Sequence, residues 1–306
     1  MSREEVLELV CQVLESTDLE ALARSDESAV LIAFGEAVGF ARYWQEPDLD
    51  DEVLASDPLR KALQEVAAAA GASPGFQTLG TSIELDGQVE TATRSTGQPT
   101  FTPQTPASAA LESWRLHVQE DEARAARDRP EELTAPWSGE WWSKPWVGGS
   151  TIVETCRRSS DGVPIRFRLE EDEYGLDRAL ARSRAVPPDA AVLELRCPED
   201  WRALVERWPL EVSASRRHDW WRATGQATRW FMPDFAAAAA EYDAIHLTMA
   251  AYLSTAGRPL PVEGGQTLLA GWDPDATFWL TDLAAPDPEH EHWDRDPEDY
   301  WRWRIT

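Results

Sequence analysis

The sequence predicts an α+β protein: an N-terminal helical region with a hairpin, followed by a mixed or antiparallel sheet domain with short helices. Three observations lead there. Helix-cap signals and apolar spacings of three and four recur in the first part of the chain. Short strand-like runs bounded by Gly, Pro, Ser and Asp take over later. Neither a regular strand–helix–strand rhythm nor a G-x-G-x-x-G loop occurs, so a dinucleotide-binding doubly wound sheet is not expected.

In chain order, Ser2 with Glu5 and Thr17 with Glu20 have the S/T-x-x-E spacing that satisfies free amides in a first helical turn. Val6, Leu7, Val10, Val13 and Leu14 share one helical face, and a longer helix is expected over residues 26–45. Asp57-Pro58 opens another helix, which Gly71 closes. Residues 82–85 and 88–91 alternate around Asp86-Gly87 and predict a hairpin with a two-residue turn. Pro99, Pro103 and Pro106 make residues 95–108 a linker. A strong helix is expected over 108–127, then a second hairpin of 151–157 with 163–170. After it come a strand at 191–196, a helix at 198–207, a short helix at 234–242 and a strand at 244–247. A helix at 248–256 and strands at 267–270 and 277–281 complete the pattern.

Tryptophan divides the chain. Of 16, only Trp44 precedes residue 113, and the others run from Trp114 to Trp303. Two regions are expected, a mainly helical 1–106 and a tryptophan-rich α+β domain 107–306 with an acidic C-terminal tail. Net charge is −26, from 55 Asp+Glu against 29 Lys+Arg, which argues against a nucleic-acid partner because cationic side chains supply most of that affinity. No apolar run approaches the ~20 residues of a membrane span, and the first residues lack the basic-then-apolar layout of a signal peptide. A cytoplasmic protein without a membrane partner is expected. Cys11, Cys156 and Cys197 have neither CxxC nor Cys-His spacing, so no disulfide framework and no metal is indicated.

Trp137, Trp141, Trp142 and Trp146 with Ser143 offer flat faces and a hydroxyl to a nucleobase or nicotinamide, or else form a corner of the core. Arg216, Arg217, His218 and Arg222, beside Trp220 and Trp221, have the forks to hold a pyrophosphate or carboxylate. The alternative is a surface turn held by ion pairs, and on an extended strand His218 and Asp219 point apart. His246 lies in an apolar strand, where a structural role competes with ligand contact. Glu194 interrupts Val192-Leu193 and Leu195, and either meets water or projects into a site. The run 170–173 reads as solvated, and Asp273-Pro274-Asp275 as a turn.

Ala41-Arg42-Tyr43-Trp44-Gln45-Glu46-Pro47, Ser138-Gly139-Glu140-Trp141-Trp142-Ser143, Arg216-Arg217-His218-Asp219-Trp220 and Tyr242-Asp243-Ala244-Ile245-His246-Leu247-Thr248 resemble an uncharacterised, tryptophan-rich actinobacterial family. More faintly, the order Gly-x-Trp-x-Ser, Tyr-Asp-x-Ile, Gly-Trp-Asp and an aromatic strand over 138–281 resembles ADP-ribosyltransferase-like proteins. That resemblance implies a split sheet that binds NAD, with Ser143 as the motif serine. NAD would then lie against Trp141 and Trp142, its pyrophosphate on Arg216, Arg217, His218 and Arg222. No clear Q/E-x-E motif is present, and Glu194 and His246 stand beside Ser143 as the candidate catalytic residues. Arg115 and His117 depart from the pattern by falling on a helix. The competing expectation is a non-enzymatic acidic binding protein, immunity or anti-toxin-like, steered by charge onto a basic partner.

Overall fold

The first helix starts where the cap spacing places it. Ser2 Oγ accepts from the Glu5 amide at 3.3 Å, and the Glu5 carboxylate accepts from the Ser2 amide at 2.6 Å. A computed structural model describes residues 2–94, 98–102, 104–147, 150–173 and 175–306. Its N-terminal part holds α1 (Arg3–Ser16), α2 (Leu19–Leu22), α3 (Glu27–Gly39), α4 (Leu49–Leu54), α5 (Asp57–Ala72) and α6 (Pro74–Gln77). Asp18, rather than Thr17, caps α2, because its carboxylate reaches the Ala21 amide at 2.9 Å. Val6, Val53 and Leu59 close a small core of their own between α1, α4 and α5. Leu31, Phe34 and Val38 of α3 instead enter the main core.

Then follow β1 (Val89–Arg94), α7 (Ala107–Asp128), β2 (Trp146–Val147), β3 (Ser150–Thr151), β4 (Glu154–Cys156), β5 (Arg178–Ser183), β6 (Val192–Leu195) and α8 (Pro198–Arg207). The chain continues through β7 (Pro209–Glu211), α9 (Arg217–Thr224), β8 (Trp230–Pro233), α10 (Phe235–Ala238), β9 (Ala244–Leu247) and α11 (Met249–Thr255). It ends in β10 (Leu260–Val262), β11 (Gly265–Thr267), β12 (Thr277–Trp279), β13 (Glu291–Arg295) and β14 (Trp303–Ile305). The expected α+β class is what forms. An eight-stranded sheet runs β14-β13-β5-β1-β4-β12-β9-β6, with β6 and β9 parallel and the other pairs antiparallel. A second sheet runs β10-β11-β8-β7.

Both expected hairpins are replaced by pairings between distant segments. Gly87 does turn, at φ 77°, but residues 82–85 form no strand; β1 takes β4 and β5 as neighbours instead. Of 163–170, Ile165–Phe167 is a 3-10 turn, and only a bridge between Arg158 and Pro164 remains of the second hairpin. The linker expected at 95–108 lies outside the described residues at 95–97 and 103, and α7 begins at Ala107. β1 comes from before residue 106 and lies between strands from after it, so the two expected regions share one sheet.

Trp201, Trp220, Trp230, Trp272 and Trp279 are fully buried, and Trp220 meets Trp230 edge to face at 5.3 Å. By area each contributes about 4–6 kcal/mol of transfer free energy, an upper estimate. Among the described residues no helix is long and apolar enough to cross a membrane.

Candidate active site

The long sheet has two chemically distinct faces, because partners across strands share a face and successive residues alternate. The register aligns Arg182, Glu90, Thr155, Thr277, His246 and Glu194 in one polar row from β5 to β6. One residue along, Glu154, Phe278 and Ile245 look to the other side.

β1 and β4 pair only at Val89 and Glu90, while Thr91 to Arg94 keep β5 as their partner. The strands part beyond that point and open a cleft of about 340 Å³. Glu90, Thr91 and Thr93 form one wall, Ile152 and Glu154 the other, with Lys144, Arg166, Trp146 and Phe101 around them. Behind Glu154 lies a half-buried ionic cluster. Arg166 Nε stands 3.4 Å from Glu154 and 3.2 Å from Asp273, its Nη2 is 3.8 Å from Glu170, and Lys144 Nζ is 4.0 Å from Asp273. These are charge contacts without hydrogen-bond geometry. Glu154 Oε1, Arg166 Nε, Glu170 Oε2 and Asp273 Oδ2 are buried and make no hydrogen bond among the described residues. Buried polar atoms are satisfied in the great majority of cases, so four orphans beside one cleft single it out as the candidate site.

Burial pushes the Glu154 carboxyl up, against Arg166, and pushes Glu170 up to about 7. Arg166 is raised, because Glu154, Glu170 and Asp273 together outweigh its own desolvation. Glu171 is lifted to about 8 by burial although the Tyr252 hydroxyl donates to it at 2.8 Å. Glu90 stands in a different setting. Arg182 donates two hydrogen bonds to it, at 3.1 and 2.8 Å, and stacks its guanidinium 3.9 Å from the Phe101 ring centre. Two carboxylates in unlike environments therefore line one cleft. Among the described residues, no group of three or more His, Cys, Asp or Glu is placed to hold a metal ion.

The residues nominated from sequence fall elsewhere. Glu194 and His246 do come together, as register partners on β6 and β9. Glu194 is held below the usual carboxylate range: burial works the other way, but Arg196 and the Ile83 amide, which reaches it at 2.9 Å, outweigh burial. His246 is buried, bonds Thr277 Oγ1 through Nδ1 at 2.9 Å, and is pushed down to about 4 by desolvation. Ser143 is buried, and its Oγ both donates to the Ala270 carbonyl and accepts from the Ala270 amide, fastening one backbone to another.

Arg216 to Arg222 lie mainly on helix α9, not on a strand or surface turn. Arg216 is 1% exposed, between Asp121 at 3.4 Å and Glu140 at 3.2 Å. Arg217 bonds the Ala214 carbonyl, His218 the Glu132 carbonyl, and Arg222 the carbonyls of Trp44 and Trp137. Of these, Arg216 through Glu140 and Arg222 through the Trp137 carbonyl fasten the loop that carries Trp137 to Trp146. Trp142 meets Trp141 and Trp146 edge on, at 76° and 77°, so the three form no parallel slot for a planar ring. Trp146, grouped from sequence with the aromatic loop but not among the rings set against NAD, is the ring of this loop that reaches the cleft.

The carboxylate run 170–173 is a further correction, since Glu171 is buried and the Glu173 side chain is 5% exposed against Arg295. Comparison with protein-family models, curated proteins and solved structures found no significant match to this chain.

Proposed function

We propose that the chain is a carboxylate-based acid–base enzyme acting at a glycosyl bond of a small, hydroxyl-rich substrate in the split between β1 and β4. The observation that carries this reading is that the cleft where β1 and β4 part is lined both by Glu154, pushed toward its neutral form by burial, and by Glu90, which leaves the sheet on the other face and is ion-paired to Arg182. Two titratable groups whose surroundings differ in this way divide the work of acid and base. With an O-glycoside Glu154 donates its proton to the leaving oxygen and a water adds to the sugar carbon, its released proton returning to the Glu154 carboxylate; with NAD the cationic nicotinamide leaves as a neutral molecule without a proton, and the carboxylate form of Glu154 takes the proton of the water that adds. Glu90 lines the same cleft from the other face of the sheet, and its charge acts through the split on the positive charge that grows on the sugar carbon as the bond breaks. Thr91 and Thr93 supply hydroxyls, and Trp146 and Phe101 supply ring faces.

NAD, expected from the resemblance, carries such a bond between ribose and nicotinamide and is the first substrate to test. In this cleft Lys144 and Arg166 are the cations available to its pyrophosphate, in the role assigned from sequence to Arg216, Arg217 and Arg222. The test is nicotinamide release and intact mass after incubation with NAD, run beside a panel of nitrophenyl glycosides. Turnover should fall by about a hundredfold or more in both Glu154→Gln and Glu90→Gln. No turnover of any of these substrates by the native chain, or full turnover in either variant, overturns the proposal.

A further inference from the structure

The carboxyl end of α3 and the C-terminal segment enclose a groove of about 380 Å³, lined by Gly35, Glu36, Gly39, Phe40, Glu173, Tyr300 and Trp301. Its construction is specific. Gly35 and Gly39 lie four apart on one face of α3, and a Cβ at Gly35 would stand 2.5 Å from Trp301 Cζ3, so the missing side chain seats the indole. Phe40 leaves its ring 74% exposed at the end of the helix, and Tyr300 is 46% exposed. Large rings left in water at the rim of a groove mark an interaction surface.

Charge decides the class of partner. Arg295 pairs with Glu173 and lies 3.9 Å from the Tyr300 ring centre, so one face of that ring already holds a guanidinium. Glu36 is exposed at the groove and forms no ion pair among the described residues. Aromatic faces beside an unpaired carboxylate attract a cation through the ring quadrupole and by direct Coulomb attraction. The whole chain adds a net −26, which speeds the approach of a basic partner and repels an acidic one.

We propose that this groove binds a lysine or arginine side chain on a basic segment of a partner protein, with Phe40 and Trp301 as ring walls and Glu36 as counter-ion. The surface is independent of the cleft between β1 and β4 and stands whether or not that cleft is catalytic.

The probe is a fluorescein-labelled decapeptide of alternating Lys, Arg, Gly and Ser, followed by anisotropy at about 0.15 M salt, where exposed charges further apart than ~8 Å are largely screened. Phe40→Ala and Glu36→Gln should each weaken binding by about threefold to tenfold. Glu65→Gln, an exposed acid on α5, should leave it unchanged, and all variants should keep the native melting temperature. Trp301→Phe keeps a ring at the wall and should retain most of the affinity. Three results would overturn the proposal: no binding by the native chain, equal weakening by Glu65→Gln, which would reduce the effect to bulk charge, and binding of tetramethylammonium but not of the peptide.

Discussion

Replacing Arg216 by alanine separates the two roles that an arginine in this sequence can have. The guanidinium lies 3.4 Å from Asp121 and 3.2 Å from Glu140 with 1% exposure, so its removal leaves two acids facing an emptied interior. Breaking a buried pair by deleting one partner costs about 3–5 kcal/mol. Here the loss is smaller, because Asp121 keeps Arg129 at 3.0 Å and Arg124 at 2.6 Å, and Glu140 keeps His117 at 2.7 Å. About 2–4 kcal/mol remains, which at roughly 2 °C per kcal/mol for a chain of this size lowers Tm by about 4–8 °C. Scanning calorimetry reads the shift, and nicotinamide release at a temperature where both proteins are folded reads activity. A Tm drop under about 1 °C together with lost NAD turnover would refute the reasoning and return Arg216 to a ligand-binding role.

Three further outcomes are expected. Glu171 binds its proton more tightly folded, at about 8, than unfolded, at 4.5, so its contribution to stability is lost as pH rises between those values. His246, at about 4 folded against 6.5 unfolded, contributes stability that is lost as pH falls through that interval. Urea unfolding should therefore show a maximum at about pH 6, and Glu171→Gln should flatten the alkaline side; an unchanged profile counts against the burial of that carboxyl. Gly35→Ala forces a Cβ to within 2.5 Å of the Arg168 carbonyl oxygen and of Trp301, and should cost about 1–3 kcal/mol with a changed near-ultraviolet dichroism spectrum. Ser143→Ala removes the two bonds to Ala270 at 3.0 and 3.2 Å, and should cost about 1–2 kcal/mol while leaving turnover in the cleft intact.

Local signals in the sequence were read well where local forces decide. The Ser2–Glu5 capping box and the helix at Pro198–Arg207 form where their residues place them, and so does the strand at Ala244–Leu247. The hairpins failed for a physical reason. A tight turn at Gly87 supplies one contact, but β1 gains two neighbouring strands when it reaches β4 and β5, and Ser82 and Ile83 are then drawn to Arg196 and Glu194. The acids at 170–173 look solvated because most of the groups that bury them lie far along the chain. Their partners are Arg166, Tyr252, Arg295 and Trp44, three of them more than seventy positions away. The cleft was invisible for the same reason, being made by two strands that part. Its one visible trace was Trp146 at the end of a conspicuous aromatic loop.

The placement of β1 between β4 and β5 also sets an order in time. Synthesis proceeds at roughly 5–20 residues per second, and about ninety residues separate the end of β1 at Arg94 from the end of β5 at Ser183. For about 3–12 s, until β4 ends about sixty residues on at Cys156, β1 has both edges unpaired, and one edge waits for about 5–18 s, until β5 ends. The nascent chain must therefore carry a bare strand through that interval, and its acidic, mutually repelling first hundred residues keep neighbouring copies on a polysome apart while it waits.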